Sequence, residues 1–421
     1  MDLLKFIPLL AGMLILARFA VEALLAALNR REVRRHAGAV PAAFRDTVDP
    51  ATYKRSVDYT LSRSRFGQWQ EGWEVLLVGV LLFSGALPAS DAAFRNAFGT
   101  ASWVGAAWIF SVGTVLSIAG LPFEGWAQFR LEHRFGFNTT TPSTWWMDRV
   151  KGFLLALILG FPLLFLILKL VGWMGPRWWI WAWALFLGFQ LLMLVLAPVV
   201  ILPLFNKLTP LTDGPLRDRL LELGRRAGFS AQTILVMDGS KRSRHSNAFF
   251  TGFGRFRKIV LFDTLIAQLT VEELEAVLAH EMGHYKLGHI PKRLIWSALT
   301  LLGGFAVMAW LLNRPEFAGA FGFPPNAGLA PTLLLFGLLS GPVSFWLSPF
   351  LNHWSRVHEF EADAFASRAV GTPKPLVDAL RKLSEKNLSN LTPHPWFSTW
   401  HYSHPTLVER ESALATLAEA R

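Results

Sequence analysis

Seven long apolar stretches constrain the fold of this chain more than any other feature of its sequence. Each is long enough, or nearly so, to cross a bilayer as an α-helix, which takes about 20 residues. Their positions are 4–28, 73–90, 101–121, 152–174, 178–205, 293–313 and 331–352. Because lipid offers no partner for backbone polar groups, helices are favoured at this length. The sequence therefore predicts a mainly α-helical integral membrane protein with seven transmembrane helices, the second and third joined by a hairpin near 88–91.

The composition agrees with a membrane protein. Of the 421 residues, 52% are hydrophobic and 17% are charged, and the mean hydropathy is +0.35. An ordinary soluble domain is less apolar than this. The chain has no cysteine, which excludes disulfides and thiolate ligands. Any metal site must therefore be built from histidine and carboxylate side chains.

Basic residues predict the orientation in the bilayer. Nine lysines and arginines lie in 29–72, whereas the next loop, 91–100, contains one. Basic loops stay on the cytosolic side. Seven spans that begin outside place every basic segment, the long 206–292 segment and the C-terminal tail in the cytosol. This topology accounts for the net charge of +11, so we expect no nucleic-acid partner. The first span is expected to be a retained anchor.

The spans divide the chain into four expected units. They are 1–205 with spans one to five and their cytosolic loops, 206–292 as an α/β insert, 293–356 with spans six and seven, and 357–421 as a C-terminal cytosolic segment. Within the insert, 213–229 has the pattern of an amphipathic helix. Short apolar runs at 233–239 and 258–263 are typical of strands.

A metal-binding pattern, His-Glu-x-x-His, stands at the end of this insert, with His280, Glu281 and His284. Side chains four apart on a helix lie on one face, so both imidazoles can bind one ion. Glu281 is positioned to take a proton from water at that ion. Thr270 is a suitable cap for a helix over 270–287.

A third ligand and an orienting acid are available in 357–366, where Glu359 and Asp363 also share a helical face. We assign Glu359 as the third ligand and Asp363 as the acid that orients a ligand histidine, which predicts a zinc hydrolase. A metzincin would need a third histidine at position 290, which is isoleucine. His289 is one position short, and we interpret it as a surface or supporting residue.

Two further segments are candidates for substrate contacts. The run 246–254, which includes Ala248 and Phe249, alternates enough to form an edge strand that pairs with a peptide, or it is a core strand of the sheet. In the tail, His404 is either an oxyanion-stabilising group near the zinc or a structural residue. His394 and His401 are more typical of exposed or structural positions.

With these segments in view, the sequence resembles the type 1 CAAX prenyl protease family, the sterile-24-type integral-membrane zinc endopeptidases. The resemblance rests on EHRFGFNTTT (132–141), GSKRSRHSNAFFTGF (239–253), KIVLFDTLI (258–266), VLAHEMGHYKLGH (277–289), EFEADAFA (359–366) and HYSHPTLVER (401–410). Their order and the seven spans cover nearly the whole chain. Shorter relatives of the heat-shock type share the zinc motif but have fewer spans.

The family implies one zinc ion per chain. It also implies a fold in which a ring of helices surrounds a large intramembrane chamber, with the active site reached through side openings. By resemblance, the residues of the site are the ligands His280, His284 and Glu359, the general base Glu281, the proton donor or orienting acid Asp363, His404 close to the zinc, and Asn247 in the substrate-strand motif. Eukaryotic members trim prenylated CAAX tripeptides, so we expect a peptide substrate, with or without a lipid.

Two alternatives remain open at this point. The Ala/Arg-rich character is typical of bacteria, which predicts an inner-membrane location and makes a quality-control protease of the heat-shock type as plausible as CAAX processing. A non-catalytic membrane scaffold would instead close the site with four ligands, using His404 or His289. The sequence does not indicate the oligomeric state.

Overall fold

The computed structural model describes residues 3–226, 234–251, 258–325 and 327–419. The first helices are α1 (Leu3–His36), α2 (Pro50–Phe83), α3 (Ala86–Phe98), α4 (Ser102–Trp126), α5 (Pro142–Leu155), α6 (Phe161–Met174), α7 (Trp178–Leu196), α8 (Leu202–Phe205) and α9 (Pro215–Arg226). They are followed by α10 (Asp263–Gln268), α11 (Val271–Lys286), α12 (His289–Leu312), α13 (Pro315–Gly319), α14 (Leu329–Ser344), α15 (Ser348–Val370), α16 (Lys374–Lys386), α17 (Pro395–His401) and α18 (Leu407–Glu419).

Five helical stretches among the described residues are long and apolar enough to cross a membrane. They are Leu3–His36, Ser102–Glu132, Pro142–Phe205, His289–Leu312 and Leu329–Val370. The pair α2–α3 passes the same test as a unit but is bent by 59°, which gives up to six spans. The prediction of a mainly α-helical, multi-pass membrane protein is confirmed. By length and composition the described helices give five or six spans, whereas the sequence analysis predicts seven.

The bend between α2 and α3 lies earlier than predicted. The sequence indicates a hairpin near 88–91, but those residues are helical and the chain bends at Ser84–Gly85. Gly85 has φ 79°, a left-handed conformation that glycine adopts without a side-chain clash. Pro88 lies within the first turn of α3, where its missing N–H removes no helical hydrogen bond. The prediction was wrong because Pro88 was interpreted as the break between the two helices, whereas the break lies at Gly85.

The basic segment 29–72 is mostly helical rather than a loop. It comprises the end of α1, a short connection and the first two thirds of α2. Asp49 fixes the start of α2, since its carboxylate accepts hydrogen bonds from the backbone N–H of Ala51 at 2.9 Å and of Thr52 at 3.0 Å. Pro50 at the first helical position adds a preset φ. The helices therefore extend well beyond their apolar stretches.

Large apolar side chains fill the core of the helical bundle. Trp108 of α4, Ala182 of α7 and Leu335 of α14 have no exposed surface. Helices α4 and α14 cross closely at Gly105, where an added Cβ would lie 2.9 Å from the Cβ of Ala330. Small residues allow such close crossings between membrane helices.

A four-stranded sheet lies in the segment between the bundle's fifth and sixth predicted spans. Its strands are β1 (Leu208–Pro210), β2 (Ile234–Met237), β3 (Ala248–Thr251) and β4 (Lys258–Phe262), in the order β1-β2-β4-β3. Strand β2 is parallel to β4, while β1 and β3 are antiparallel to their neighbours. The predicted strands at 233–239, 246–254 and 258–263 each contain one of these. Residues 227–233 and 252–257 of the predicted elements lie outside the described residues.

The polar segment after α4 fastens this sheet to the bundle. Thr140 donates its hydroxyl to the backbone carbonyl of Arg242 at 2.9 Å, and Asn138 forms a β-bridge with Ser243. The guanidinium of Arg242 is paired with both carboxylate oxygens of Asp148 at 2.8 and 2.9 Å. Two motifs far apart in the chain therefore form one junction.

Helices α11 and α15 pack together unusually closely. Gly283 faces α15, and a Cβ added there would lie 3.0 Å from Cα and 3.2 Å from the carbonyl oxygen of Ala362. Ala279 and Ala362 have no exposed surface. Because these side chains are small, the two backbones approach closely, and polar side chains of both helices can meet.

Candidate metal centre

Helix α11, which carries the His-Glu-x-x-His pattern, begins with a complete capping box. The hydroxyl of Thr270 accepts from the N–H of Glu273 at 3.3 Å, and the carboxylate of Glu273 accepts from the N–H of Thr270 at 2.8 Å. Glu272 and Glu273 lie in the first turn, where negative charge is favourable. The helix spans Val271–Lys286, within one residue of the predicted range at each end.

Three side chains from two helices converge next to the close crossing. His280 Nε2 and His284 Nε2 are 3.2 Å apart. Glu359 of α15 lies between them, with Oε2 3.3 Å from His280 Nε2 and Oε1 3.2 Å from His284 Nε2. His280 and Glu359 are almost fully buried, at 6% and 2% exposure. The structure thus brings together the three residues that the sequence suggested as ligands.

The spacing of these atoms fits a zinc ion. Two nitrogens bound to a tetrahedral zinc at about 2.0–2.1 Å are separated by about 3.3 Å. Glu359 Oε2 is buried and makes no hydrogen bond of good geometry, although the ring nitrogens of His404 and His280 lie 2.7 and 3.3 Å away. A buried carboxylate oxygen without a hydrogen bond is costly unless an ion compensates it. The donor set of two imidazoles and one carboxylate is the type found in zinc peptidases.

Behind His280 stands a buried acid held by a buried arginine. Asp363 Oδ1 lies 2.8 Å from His280 Nδ1, and Arg410 of α18 donates from Nε to Asp363 Oδ2 at 2.7 Å. Asp363 is 1% exposed and Arg410 8%. This contact fixes the ring of His280 so that Nε2 points at the ligand cluster. Sequence reasoning missed Arg410, although it ends the HYSHPTLVER motif and is a charged residue one helical turn from Thr406.

His280 is also electrostatically unusual. Burial lowers the pKa of His280, but its interactions with the carboxylates of Asp363 and Glu359 outweigh burial and raise this pKa to about 9. The metal-free site therefore binds a proton at neutral pH. A metal ion that binds Nε2 must displace this proton.

Behind His284 stands a second histidine, His289. Its Nδ1 lies 2.9 Å from Nδ1 of His284, and its Nε2 lies 2.8 Å from Oε2 of Glu361. His289 is 1% exposed, so the surface position considered for it was wrong. The chain turns sharply at Gly288, with φ 70°, and this turn brings His289 back against α11.

Glu281 follows His280 on α11 and lies in the field of both ligand histidines. Burial raises the pKa of its carboxyl group, while the nearby histidines partly oppose this increase. A carboxylate with a raised pKa is a better proton acceptor than an exposed one. Its position and environment suit a general base.

His404 reaches the ligand cluster from the C-terminal segment. Its Nδ1 lies 2.7 Å from Glu359 Oε2, and 64% of its side chain is exposed. The two neighbouring histidines have other contacts: His401 pairs with Glu22 at 3.2 Å, and His394 accepts a hydrogen bond from the N–H of Trp396 at 3.2 Å. Only His404 among these three lies at the cluster.

The predicted substrate strand is at the edge of the sheet. Strand β3 pairs with β4 on one side, and no strand among the described residues pairs with its other side. Asn247 immediately precedes β3 and is exposed, while Ala248 is buried at 9% exposure and Phe249 is half-buried. Helix α11 packs against this strand. An edge position leaves backbone groups free to pair with a peptide.

A cavity of about 1060 Å³ adjoins the cluster. His404 forms part of its wall, and α1 and α2 contribute Glu22 and Glu71. A second, smaller cavity of about 460 Å³ shares Arg63 and His245 with it. His404 therefore lies between the ligand cluster and a cavity whose wall includes polar residues of α1 and α2.

Comparison with known proteins decides the family. The model of the CAAX prenyl protease N-terminal region, with five membrane helices, matches residues 29–207, and the model of peptidase family M48 matches residues 210–418. The chain belongs to the CAAX prenyl protease 1 family. It is an integral membrane protein with a zinc metalloprotease fold.

Relatives of this family match almost the entire chain. A CAAX prenyl protease 1 homolog of Oryza sativa subsp. japonica is 36% identical over 89% of this chain and 90% of its own length. CAAX prenyl protease 1 of Saccharomyces cerevisiae is 33% identical over 91% and 90%. The crystal structure of S. mikatae Ste24p superimposes with a TM-score of 0.89 at 31% identity, and it covers 97% of this chain and 98% of its own.

Proposed function

We propose that this protein is a membrane-embedded zinc endopeptidase that hydrolyses peptide bonds near the C-terminus of CAAX-type peptides. The single observation that carries the proposal is the convergence of His280, His284 and Glu359 on one metal-sized point. Glu281 interacts electrostatically with all three of these side chains. The printed names of the relatives supply the substrate class. The geometry alone supports peptide hydrolysis, and the relatives narrow the substrate.

His280, His284 and Glu359 would hold the zinc, one ion per chain. Zinc in such a site supplies Lewis-acid chemistry and makes water more acidic. Glu281 accepts the proton from the attacking water and passes it to the leaving amine. Asp363, held by Arg410, keeps His280 in the orientation that presents Nε2. His404 stabilises the developing oxyanion from the cavity side.

Substrate binding is assigned to the free edge of β3. Backbone groups of Ala248 and Phe249 would pair with the peptide, and the amide of Asn247 would donate to it. The exposed position of Asn247 and the packing of β3 beside α11 support this assignment. The prenyl group is proposed to extend toward the apolar helices, since its chemistry matches theirs.

We also propose seven membrane spans that enclose the cavity. The stretch Pro142–Phe205 has 64 residues, which as one straight helix would be roughly 96 Å long, three times the thickness of a bilayer core. Division at Gly175, whose φ is 53°, gives two spans. The boundaries 1–205, 206–292, 293–356 and 357–421 follow from this count. The asymmetry of basic residues supports a cytosolic active site and tail, and a bacterial inner membrane is part of the same proposal.

The decisive variant is Glu281→Gln in the purified, full-length protein. We expect it to retain zinc, because glutamine is isosteric and Glu281 is not a ligand, and to lose cleavage of a fluorogenic peptide by at least about 100-fold. Wild-type protein stripped with a chelator is the matched control and should recover on addition of zinc. If Glu281→Gln cleaves at the parental rate, the assigned base is wrong.

A paired substrate comparison tests the CAAX specificity. The same peptide is offered with a farnesylated cysteine, without the farnesyl group, and with its C-terminal carboxylate amidated. We expect the farnesylated peptide to be cleaved fastest, since it uses the apolar surface. Equal rates for all three would favour a general membrane quality-control protease of the heat-shock type.

One contact favours a second candidate function, a non-catalytic scaffold with structural zinc. His404 Nδ1 is 2.7 Å from Glu359 Oε2, close enough to act as a fourth ligand. A closed four-ligand site leaves no position for water. In that case the protein would contain one zinc, and wild type and Glu281→Gln would be equally inactive.

A further inference from the structure

One histidine–carboxylate pair next to the metal centre has no part in the proposed hydrolysis. His289, the first residue of α12, lies between His284 of α11 and Glu361 of α15. Its two ring nitrogens are 2.9 Å from His284 Nδ1 and 2.8 Å from Glu361 Oε2. His289 is 1% exposed, and the carboxylate of Glu361 is 47% exposed. A charged surface group is thus connected to a buried ligand through one ring.

The chemistry of the contacts allows one consistent arrangement of protons. A histidine that binds a metal through Nε2 keeps its proton on Nδ1. The Nδ1–H of His284 then donates to Nδ1 of His289, which must accept. The proton of neutral His289 is therefore on Nε2, where it donates to the carboxylate of Glu361. Every donor in this series of hydrogen bonds has an acceptor, and the series ends at the charged carboxylate of Glu361.

We propose that His289 and Glu361 are positioning residues that fix the ring orientation and tautomer of His284 as a metal ligand. The inference rests on the proposed zinc site and extends it. The role resembles that of Asp363 behind His280, but the connection is longer. Asp363 contacts its ligand histidine directly, whereas Glu361 acts through His289. Such outer partners typically contribute about 10- to 100-fold to metal affinity.

The neighbouring His358 suggests a different role for the same residues, a second metal site. His289, His358 and Glu361 have ligand atoms within 4.8 Å of one another, and His358 Nδ1 is buried without a hydrogen bond. However, the rings of His289 and His358 are stacked 4.0 Å apart with 9° between their planes. Imidazole lone pairs lie in the ring plane, so those of two parallel rings do not converge on one ion. Both nitrogens of His289 are also already in contact with other residues.

Three variants of the full-length protein separate these roles. His289→Phe preserves the ring and its stacking on His358 but removes both nitrogens. Glu361→Gln weakens the terminal acceptor while it keeps the shape. His358→Phe is the matched control, because it keeps the stack and alters no contact with His284.

The measurements are zinc content, zinc affinity by competition with a chelator, and the visible spectrum of the cobalt-substituted protein. We expect one zinc in the parent, an affinity about 10- to 100-fold lower in His289→Phe, a smaller decrease in Glu361→Gln, and parental affinity in His358→Phe. The cobalt bands should shift in His289→Phe and keep their parental position in His358→Phe. A role limited to packing would not shift them.

Other outcomes overturn the inference in distinguishable ways. Parental affinity and spectrum in His289→Phe would remove the positioning role, as would two zinc ions in the parent that fall to one in His358→Phe. Absence of zinc from the parent and all variants would instead contradict the proposed function. If His289→Phe does not fold, two other variants take its place: His289→Asn, whose amide can accept from His284, should bind zinc more tightly than His289→Ala. Glu361→Gln, at a half-exposed position, still tests the hydrogen bonds that lead from His284 through His289. Equal affinities of these variants and the parent would refute the inference.

Discussion

Two glycine crossings in this molecule have nearly the same geometry and very different surroundings. At Gly105, in the bundle, an added Cβ would lie 2.9 Å from the Cβ of Ala330 and 3.3 Å from Cδ1 of Leu168. At Gly283, in the metal centre, it would lie 3.0 Å from Cα and 3.2 Å from the carbonyl oxygen of Ala362. At Gly105 the nearest atoms are thus side-chain atoms, whereas at Gly283 they are two backbone atoms of Ala362 together with the Cβ of Phe365 at 3.2 Å.

The difference shows what each region requires of its packing. In the bundle, the Cβ of Ala330 moves only with its helix, but no ligand geometry depends on the distance between α4 and α14, so a small separation of these helices costs stability alone. In the metal centre, the interhelical distance determines whether atoms 3.2 and 3.3 Å apart still surround one ion. We therefore expect a shift of a few tenths of an ångström to be tolerated in the bundle and to weaken metal binding at the ligand cluster.

The largest effect is expected from substitution of Arg410, the buried cation that holds Asp363 against His280. Arg410→Ala leaves Asp363 without its guanidinium partner, and loss of one member of a buried ion pair costs about 3–5 kcal/mol. We expect a lower unfolding temperature, loss of zinc and loss of peptide cleavage. The surface pair of Lys374 and Asp378, 2.6 Å apart, provides the control. Lys374→Ala should cost about 1 kcal/mol or less and retain zinc. Equal costs would contradict the distinction.

Gly283→Ala tests the crossing itself. We expect α11 and α15 to separate slightly and zinc affinity to fall about 10- to 100-fold, the range seen when ligand orientation is lost. The affinity is measured by competition with a chelator, and the fold is checked by the thermal unfolding of the metal-free protein. Ala366→Gly, which removes a methyl group from the same interface, separates added bulk from any change in packing. Parental zinc affinity in Gly283→Ala would show that the crossing tolerates a methyl group.

The pH dependence of zinc binding tests the electrostatics of the centre. Because the pKa of His280 in the metal-free protein is about 9, its ring is protonated below that pH and zinc must displace the proton. Apparent affinity should therefore rise about tenfold per pH unit as the pH increases toward 9, for one displaced proton. Asp363→Asn removes a carboxylate that raises this pKa, so its slope at neutral pH should be shallower. A flat profile in the parent would exclude a protonated His280.

Gly105→Ala is expected to have the smallest effect on the metal. The added methyl group would meet the Cβ of Ala330, which moves only with its helix, and the flexible end of Leu168. Overpacking of this kind costs about 1–3 kcal/mol. We expect a lower unfolding temperature in detergent, with zinc affinity and peptide cleavage at parental levels. A simultaneous loss of zinc would mean that the bundle and the metal centre are mechanically coupled. That result would contradict the expectation that only the crossing at Gly283 affects zinc binding.

Much of the fold could be predicted because it is local in sequence. Apolar stretches of about 20 residues indicated the membrane helices, and the capping pattern at Thr270 and Glu273 placed the start of α11 correctly. Two short apolar runs and one alternating run indicated β2, β4 and β3, whereas β1 was not predicted. The start of α2 was missed because Asp49 and Pro50 form a helix cap within a stretch that was interpreted as a basic loop.

The metal centre was only partly accessible to sequence analysis. Spacing by four placed His280 with His284, and Glu359 with Asp363, because the period of a helix is fixed by its own backbone. The contact of Arg410 was not foreseen, and His289 was interpreted as a surface or supporting residue without a named partner. Arg410 reaches the centre from a separate helix 130 positions after His280, and His289 reaches it through a turn at Gly288. Neither position follows from a repeating pattern.

Three features could be obtained from the residues alone: the apolar spans, the helix that carries His280, Glu281 and His284, and the absence of thiolate ligands. These follow from composition and from the regular geometry of a single helix. Three others became visible in the folded protein: α11 and α15 meet at Gly283, Arg410 holds Asp363, and His289 lies behind His284. Such contacts depend on how side chains of distant segments fit together, and that fit is a property of the packed molecule.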